Sequence, residues 1–118
     1  MLLFADLDNN RAALAYQRFP EDKRNRTIWA RTNEEVIDIL TNYEIEELYL
    51  GDTTPLNSAG FECKMAVVRW FESQTTGELE KLRNCKITLH SWDDFITFNM
   101  RVRLEKLGMN VKIVPFGT

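Results

Sequence analysis

Short apolar runs alternate along the chain with longer stretches whose apolar residues recur at helical spacing. The runs predict five strands, at residues 2–5, 27–31, 46–50, 85–89 and 111–114. In the second, Ile28 and Ala30 share one face and Trp29 takes the other. Between the first two, residues 11–19 carry Leu14, Ala15 and Phe19 at helical spacing. Asp8-Asn9-Asn10 are natural helix-starting residues before them, and Pro20 stops the helix. Residues 21–26 read as a polar loop. Thr32-Asn33-Glu34-Glu35 forms a capping box, in which the Thr hydroxyl accepts from an amide and Glu35 reaches back. The helix behind it presents Val36, Ile37 and Leu40.

A polar loop, Gly51-Asp52-Thr53-Thr54-Pro55, follows the third strand and runs on to Ser58-Ala59-Gly60. Residues 61–72 then place Phe61, Met65, Val68 and Phe71 on one helical stripe, which is expected to be core. Residues 74–84 are polar, with one helical turn expected around Leu79 and Leu82. The last helix starts at Asp93 or Asp94 and is expected to bury Phe95, Phe98, Val102, Leu104 and Leu107. Gly108 stops it.

Strict β-α alternation predicts an α/β fold: a doubly wound, five-stranded parallel sheet with helices on both faces. Right-handed crossovers and this length suit the flavodoxin-like order 2-1-3-4-5. Strands 1, 3 and 4 are then neighbours, and their carboxyl ends line the edge where open α/β sheets bind ligands. Those ends carry Asp6 and Asp8, then Asp52, then His90 and Ser91.

The chain has 118 residues, 44% apolar and 28% charged, which suits a single globular domain. A net charge of −3 argues against a DNA-binding or anionic-membrane surface. The basic stretch at residues 23–26 is balanced by Glu21 and Asp22 and reads as solvated. No apolar stretch approaches the ~20 residues of a membrane span. Asp6 and Asp8 interrupt what a signal peptide would need as an apolar core, so a cytoplasmic protein is expected. Cys63 and Cys85 are isolated and expected to be buried thiols.

Asp6, Asp8 and Asp52 are candidate ligands for a divalent cation such as Mg²⁺ or Mn²⁺, because clustered carboxylates favour a metal or a proton. The alternative makes Asp8 a helix cap, hydrogen-bonds Asp6 to a loop amide and leaves Asp52 in a local turn. His90, the only histidine, is a candidate general acid or base or phosphate ligand. Ser91 and Thr53 offer hydroxyls, Arg11 a phosphate contact, Trp92 a stacking surface and Asn99 a hydrogen bond. A serine nucleophile activated by His90 is disfavoured, since adjacent strand residues point to opposite faces. No glycine-rich phosphate loop or Cys/His cluster is present.

The stretch His90-Ser91-Trp92-Asp93-Asp94-Phe95-Ile96-Thr97-Phe98-Asn99-Met100 resembles the His-Ser…Asn-Met signature of the cyclic-phosphate processing receiver domains of bacteria and phages. Asp6, Asp8 and Arg11 are similar to that family's first-strand motif of paired aspartates and arginine. Two features depart from it, and a third departs from an ordinary phosphoacceptor receiver. The family's third strand ends in an Asp-His-Asp-like triplet, where this chain has Gly51-Asp52-Thr53. Leu7 separates the first two acids. Val114-Pro115-Phe116 lacks the lysine of a phosphoacceptor receiver. The resemblance implies recognition or metal-dependent hydrolysis of a nucleotide-like cyclic phosphate by a divergent member. The departures raise two alternatives: a nucleotide-binding sponge, or a non-catalytic module whose Trp29, Trp70 or Trp92 anchors a protein partner.

Overall fold

A right-handed crossover puts its helix on a sheet face decided by the direction in which the chain steps. In the computed structural model, which describes residues 1–51, 64–90 and 94–114 apart from the side chains of Asn9 and Arg11, that rule gives two unequal faces. The elements run β1 (Leu2–Ala5), α1 (Asn9–Arg18), α2 (Glu21–Asn25), β2 (Thr27–Ala30), α3 (Asn33–Asn42), β3 (Glu47–Leu50), α4 (Ala66–Glu72), α5 (Thr76–Leu82), β4 (Lys86–Leu89), α6 (Asp94–Lys106) and β5 (Asn110–Ile113). The sheet is parallel throughout, in the order β2-β1-β3-β4-β5. Only the step from β1 to β2 runs leftward, so α1 and α2 lie on one face and the remaining helices on the other.

Burial follows this division. Leu3, Ala5, Ala30, Leu48, Leu50, Ile87 and Leu89 are at most 2% exposed and join one core. Val36, Met65, Val68, Phe71, Met100 and Leu104 close over them from α3, α4 and α6. On the opposite face Leu2 and Phe4 are buried, Phe4 against Phe19, but Lys86, Asn110 and Lys112 are exposed. The alternation in β3, β4 and β5 therefore has a cause: their second face meets partial cover or water.

Three expectations need correction. The polar stretch after Pro20 is a short helix, α2, not a loop; Glu21 and Asp22 sit in its first turn and Lys23 and Arg24 in its last, which suits the helix dipole. Its charges are also engaged, Lys23 with Glu47 at 3.5 Å and Arg26 with Glu46 at 3.2 Å. Residues 74–84 hold a full two-turn helix with its own capping box: Thr75 accepts from the Glu78 amide while Glu78 reaches back to the Thr75 amide. The third correction concerns α6. Its buried face is Ile96, Thr97, Met100 and Leu104, and the expected face residues Phe95 and Phe98 point into solvent.

Other signals act as read. Thr32 accepts from the Glu35 amide at 3.2 Å, although Glu35 reaches back to the Arg31 amide rather than that of Thr32. Gly108 takes φ +84° and ends α6. Cys85 is buried, and burial pushes its thiol up to about 12. Phe61 and Cys63 lie outside the described residues. Among the described residues, no helix is long and apolar enough to cross a membrane.

Candidate functional site at the carboxyl edge

Ala5, Leu50 and Leu89 end their strands in register. Parallel pairing continues one residue further: Gly51 N–H donates to Ala5 O at 2.7 Å, and His90 N–H to Leu50 O at 2.8 Å. Asp6, Gly51 and His90 thus stand side by side at the edge. Ordinary strand spacing separates the outer two by about 10 Å at Cα.

Asp6 is 2% exposed. Its Oδ1 accepts from the Asp8 amide at 2.8 Å, and Asp8 Oδ1 accepts from the Asn10 amide at 2.8 Å. One oxygen of each carboxylate therefore orders the turn that starts α1, as the capping alternative expected. A Cβ at residue 51 would stand 2.6 Å from Asp6 Oδ2 and 3.0 Å from Ala5 O. Glycine at 51 is what lets the buried carboxylate lie against β3. Where the cyclic-phosphate family carries an acid, any side chain here would collide with Asp6. On β2, the exposed Trp29 donates its indole N–H to Asp6 O at 3.2 Å.

His90 closes the other side. Its ring stacks on Tyr49 (centroids 5.9 Å, interplanar 22°) and lies 6.2 Å from Phe4. Phe19, just past the end of α1, completes the cluster, 5.0 Å from Tyr49 and 6.1 Å from Phe4. His90 Nε2 is buried and has no hydrogen-bond partner among the described residues. Burial holds the imidazole below its ordinary range; the Lys112 charge adds to that, and a hydrogen bond with the Val114 backbone opposes it. Tyr49 is fixed from below, donating to Glu47 Oε2 at 2.6 Å and accepting from Lys23 Nζ at 3.3 Å. The Tyr49 hydrogen bond is the main cause that lowers the Glu47 carboxyl, and Lys23 adds to it.

Asp6, Asp8 and His90 are thus gathered at one edge. Asp52, Thr53, Ser91 and Trp92 lie outside the described residues, as does the Arg11 side chain. Asn99 is occupied by its own helix, donating Nδ2–H to Phe95 O at 2.7 Å. Trp70 is not an exposed anchor: it is half-buried and packs edge-on against Phe71. No group of three or more metal-binding side chains occurs among the described residues. Phe4, Phe19 and Tyr49 were not anticipated in the site. Strand parity places Tyr49 on the same face as His90, and that signal was present in the sequence.

No family model and no curated protein matches the chain. Solved structures do. A de novo designed Rossmann 2x3 fold protein is 14% identical with a TM-score of 0.62, covering 97% of this chain and 77% of its own. A response regulator from Burkholderia pseudomallei, solved with a phosphorylated aspartic acid, calcium ion and citrate, is 12% identical with a TM-score of 0.59, covering 99% of this chain and 59% of its own. A signal receiver domain from Vibrio parahaemolyticus is 12% identical with a TM-score of 0.63, covering 99% of this chain and 78% of its own. The chain has a receiver-like, flavodoxin-like fold. None of these similarities bears on cyclic-phosphate processing.

Proposed function

We propose that this chain is a receiver-like protein-interaction module that docks through the outer face of α6. One observation carries the reading: Phe95 and Phe98 are 68% and 61% exposed on a helix whose inner face is already filled. A helix apolar on both sides is normally covered on both sides. Clustered exposed aromatics are the usual anchors of a protein interface. The test is a photo-crosslinking residue in place of Phe98, in the chain expressed in its native cells. A discrete adduct is expected, lost when Phe95→Ser is added. Labelling no greater than from the exposed position Glu80 would overturn the reading.

A second reading is favoured by the buried His90 Nε2, which has no hydrogen-bond partner among the described residues, on the same edge as the buried Asp6. Here the edge recognises a nucleotide-like cyclic phosphate, with or without hydrolysis. Asp6, Asp8 and Asp52 would hold Mg²⁺ or Mn²⁺, and His90 would be the acid/base group or phosphate ligand. A ligand that binds only the native state raises the melting temperature. Cyclic mono- and dinucleotides, with and without these metals, are expected to raise it in the wild type and not in His90→Ala. No shift across the panel removes this reading.

A further inference from the structure

We propose that a groove at the amino ends of β3 and β4 binds a free α-amino acid with a large apolar side chain. The groove holds about 680 Å³, within the about 300–1,000 Å³ usual for small-molecule sites. It forms where α3 and α4 end beside α5. It lies at the opposite end of the strands from His90 and away from α6, so it is independent of both readings above. Leu40 and Ile45 are buried and make its apolar floor with the half-buried Leu82 and Trp70. Tyr43 adds a second ring, 54% exposed.

The charges around that floor select the occupant. Glu44 and Lys81 both line the groove and both are exposed. Neither forms an ion pair among the described residues, not even with the other. A carboxylate and an ammonium held apart over one apolar floor match a ligand that carries both charges and an apolar body. Glu44 takes the ligand's ammonium. It follows the carboxyl end of α3, whose last turn has no basic side chain, so the negative end of the helix dipole adds to its charge. Lys81 takes the ligand's carboxylate. The Trp70 and Tyr43 rings suit both an apolar side chain and the ammonium beside it. A ligand of one charge would leave Glu44 or Lys81 unmatched, and an internal peptide segment carries neither terminal charge.

Calorimetric titration of the full chain with L-phenylalanine, phenylpropionate, phenethylamine and glycine tests this, with NMR locating the site. L-phenylalanine is expected to bind one to one and to shift the Trp70 indole N–H resonance. Phenylpropionate lacks the ammonium and phenethylamine lacks the carboxylate. Each should bind at least about fivefold more weakly, and glycine not measurably. In Glu44→Gln the advantage of L-phenylalanine over phenylpropionate should vanish, while its advantage over phenethylamine stays. Lys81→Met should do the reverse. Both positions are exposed, so both variants should melt at the temperature of the wild type. No binding of L-phenylalanine overturns the proposal. So do equal affinities for L-phenylalanine and either analogue, preferences unchanged in both variants, or resonance shifts confined to the His90 edge.

Discussion

At the scale of single residues, the edge is organised around what cannot be added to it. Gly51 leaves room for the Asp6 carboxylate, and a methyl group there would stand 2.6 Å from Asp6 Oδ2. Gly51→Ala is expected to destabilise the fold by about 1–3 kcal/mol, measured by urea denaturation. Most of that cost should vanish in an Asp6→Ala background, because the obstructing carboxylate is gone. Equal costs in both backgrounds would mean that the conflict lies with the Ala5 backbone instead. Sequence alone made Asp6 and Gly51 notable separately. Their contact depends on the β1–β3 register, which no local pattern carries. His90 gives a second prediction. Its folded pKa is lowered from 6.5, so the unfolded chain takes up the proton first as pH falls. Stability should drop as pH passes below about 6.5, and His90→Gln should flatten that part of the profile. Identical profiles for the two proteins between neutral pH and the carboxylate range would refute it.

At the scale of elements, the misread helix is informative. Ile96, Met100 and Leu104 form one apolar stripe on α6 and Phe95, Phe98 and Val102 form another, so periodicity finds a helix but cannot choose its inner face. Aromatic bulk favoured the wrong stripe. The core took the stripe without rings, Ile96, Met100 and Leu104. The α5 helix was undervalued for a different reason. Its Thr75-x-x-Glu78 signature is as explicit as that of α3, but few apolar residues accompany it. Thr75→Ala is expected to cost about 1 kcal/mol, seen as a lower melting temperature. A Thr75→Ser variant should keep most of the cap.

At the scale of the molecule, strand order was legible because alternating elements and crossover handedness leave few topologies. What the pattern also held, and what only the assembled sheet makes plain, is the inequality of its faces. One face lies under α3, α4, α5 and α6 and carries the large core. The other is held by α1 and α2 through a small aromatic cluster, Phe4, Phe19, Tyr49 and His90, with Lys23 reaching down to Tyr49 and Glu47. Local opening should follow that division, since regions with fewer buried apolar contacts open at lower free energy. Phe19→Ala removes the one ring that the residues just after α1 contribute to the cluster. It is expected to speed amide exchange in α1 and α2 while leaving α3 and α6 protected. The same loss removes support from Phe4 and Tyr49, the rings that lie against His90, whose low pKa owes most to burial. Its imidazole should therefore titrate closer to 6.5 in the variant, followed by NMR. Faster α1 exchange with an unmoved His90 titration would show that Tyr49 and Phe4 alone shield the ring. Movement of both together would tie the histidine edge to the seating of the helix that Asp8 starts.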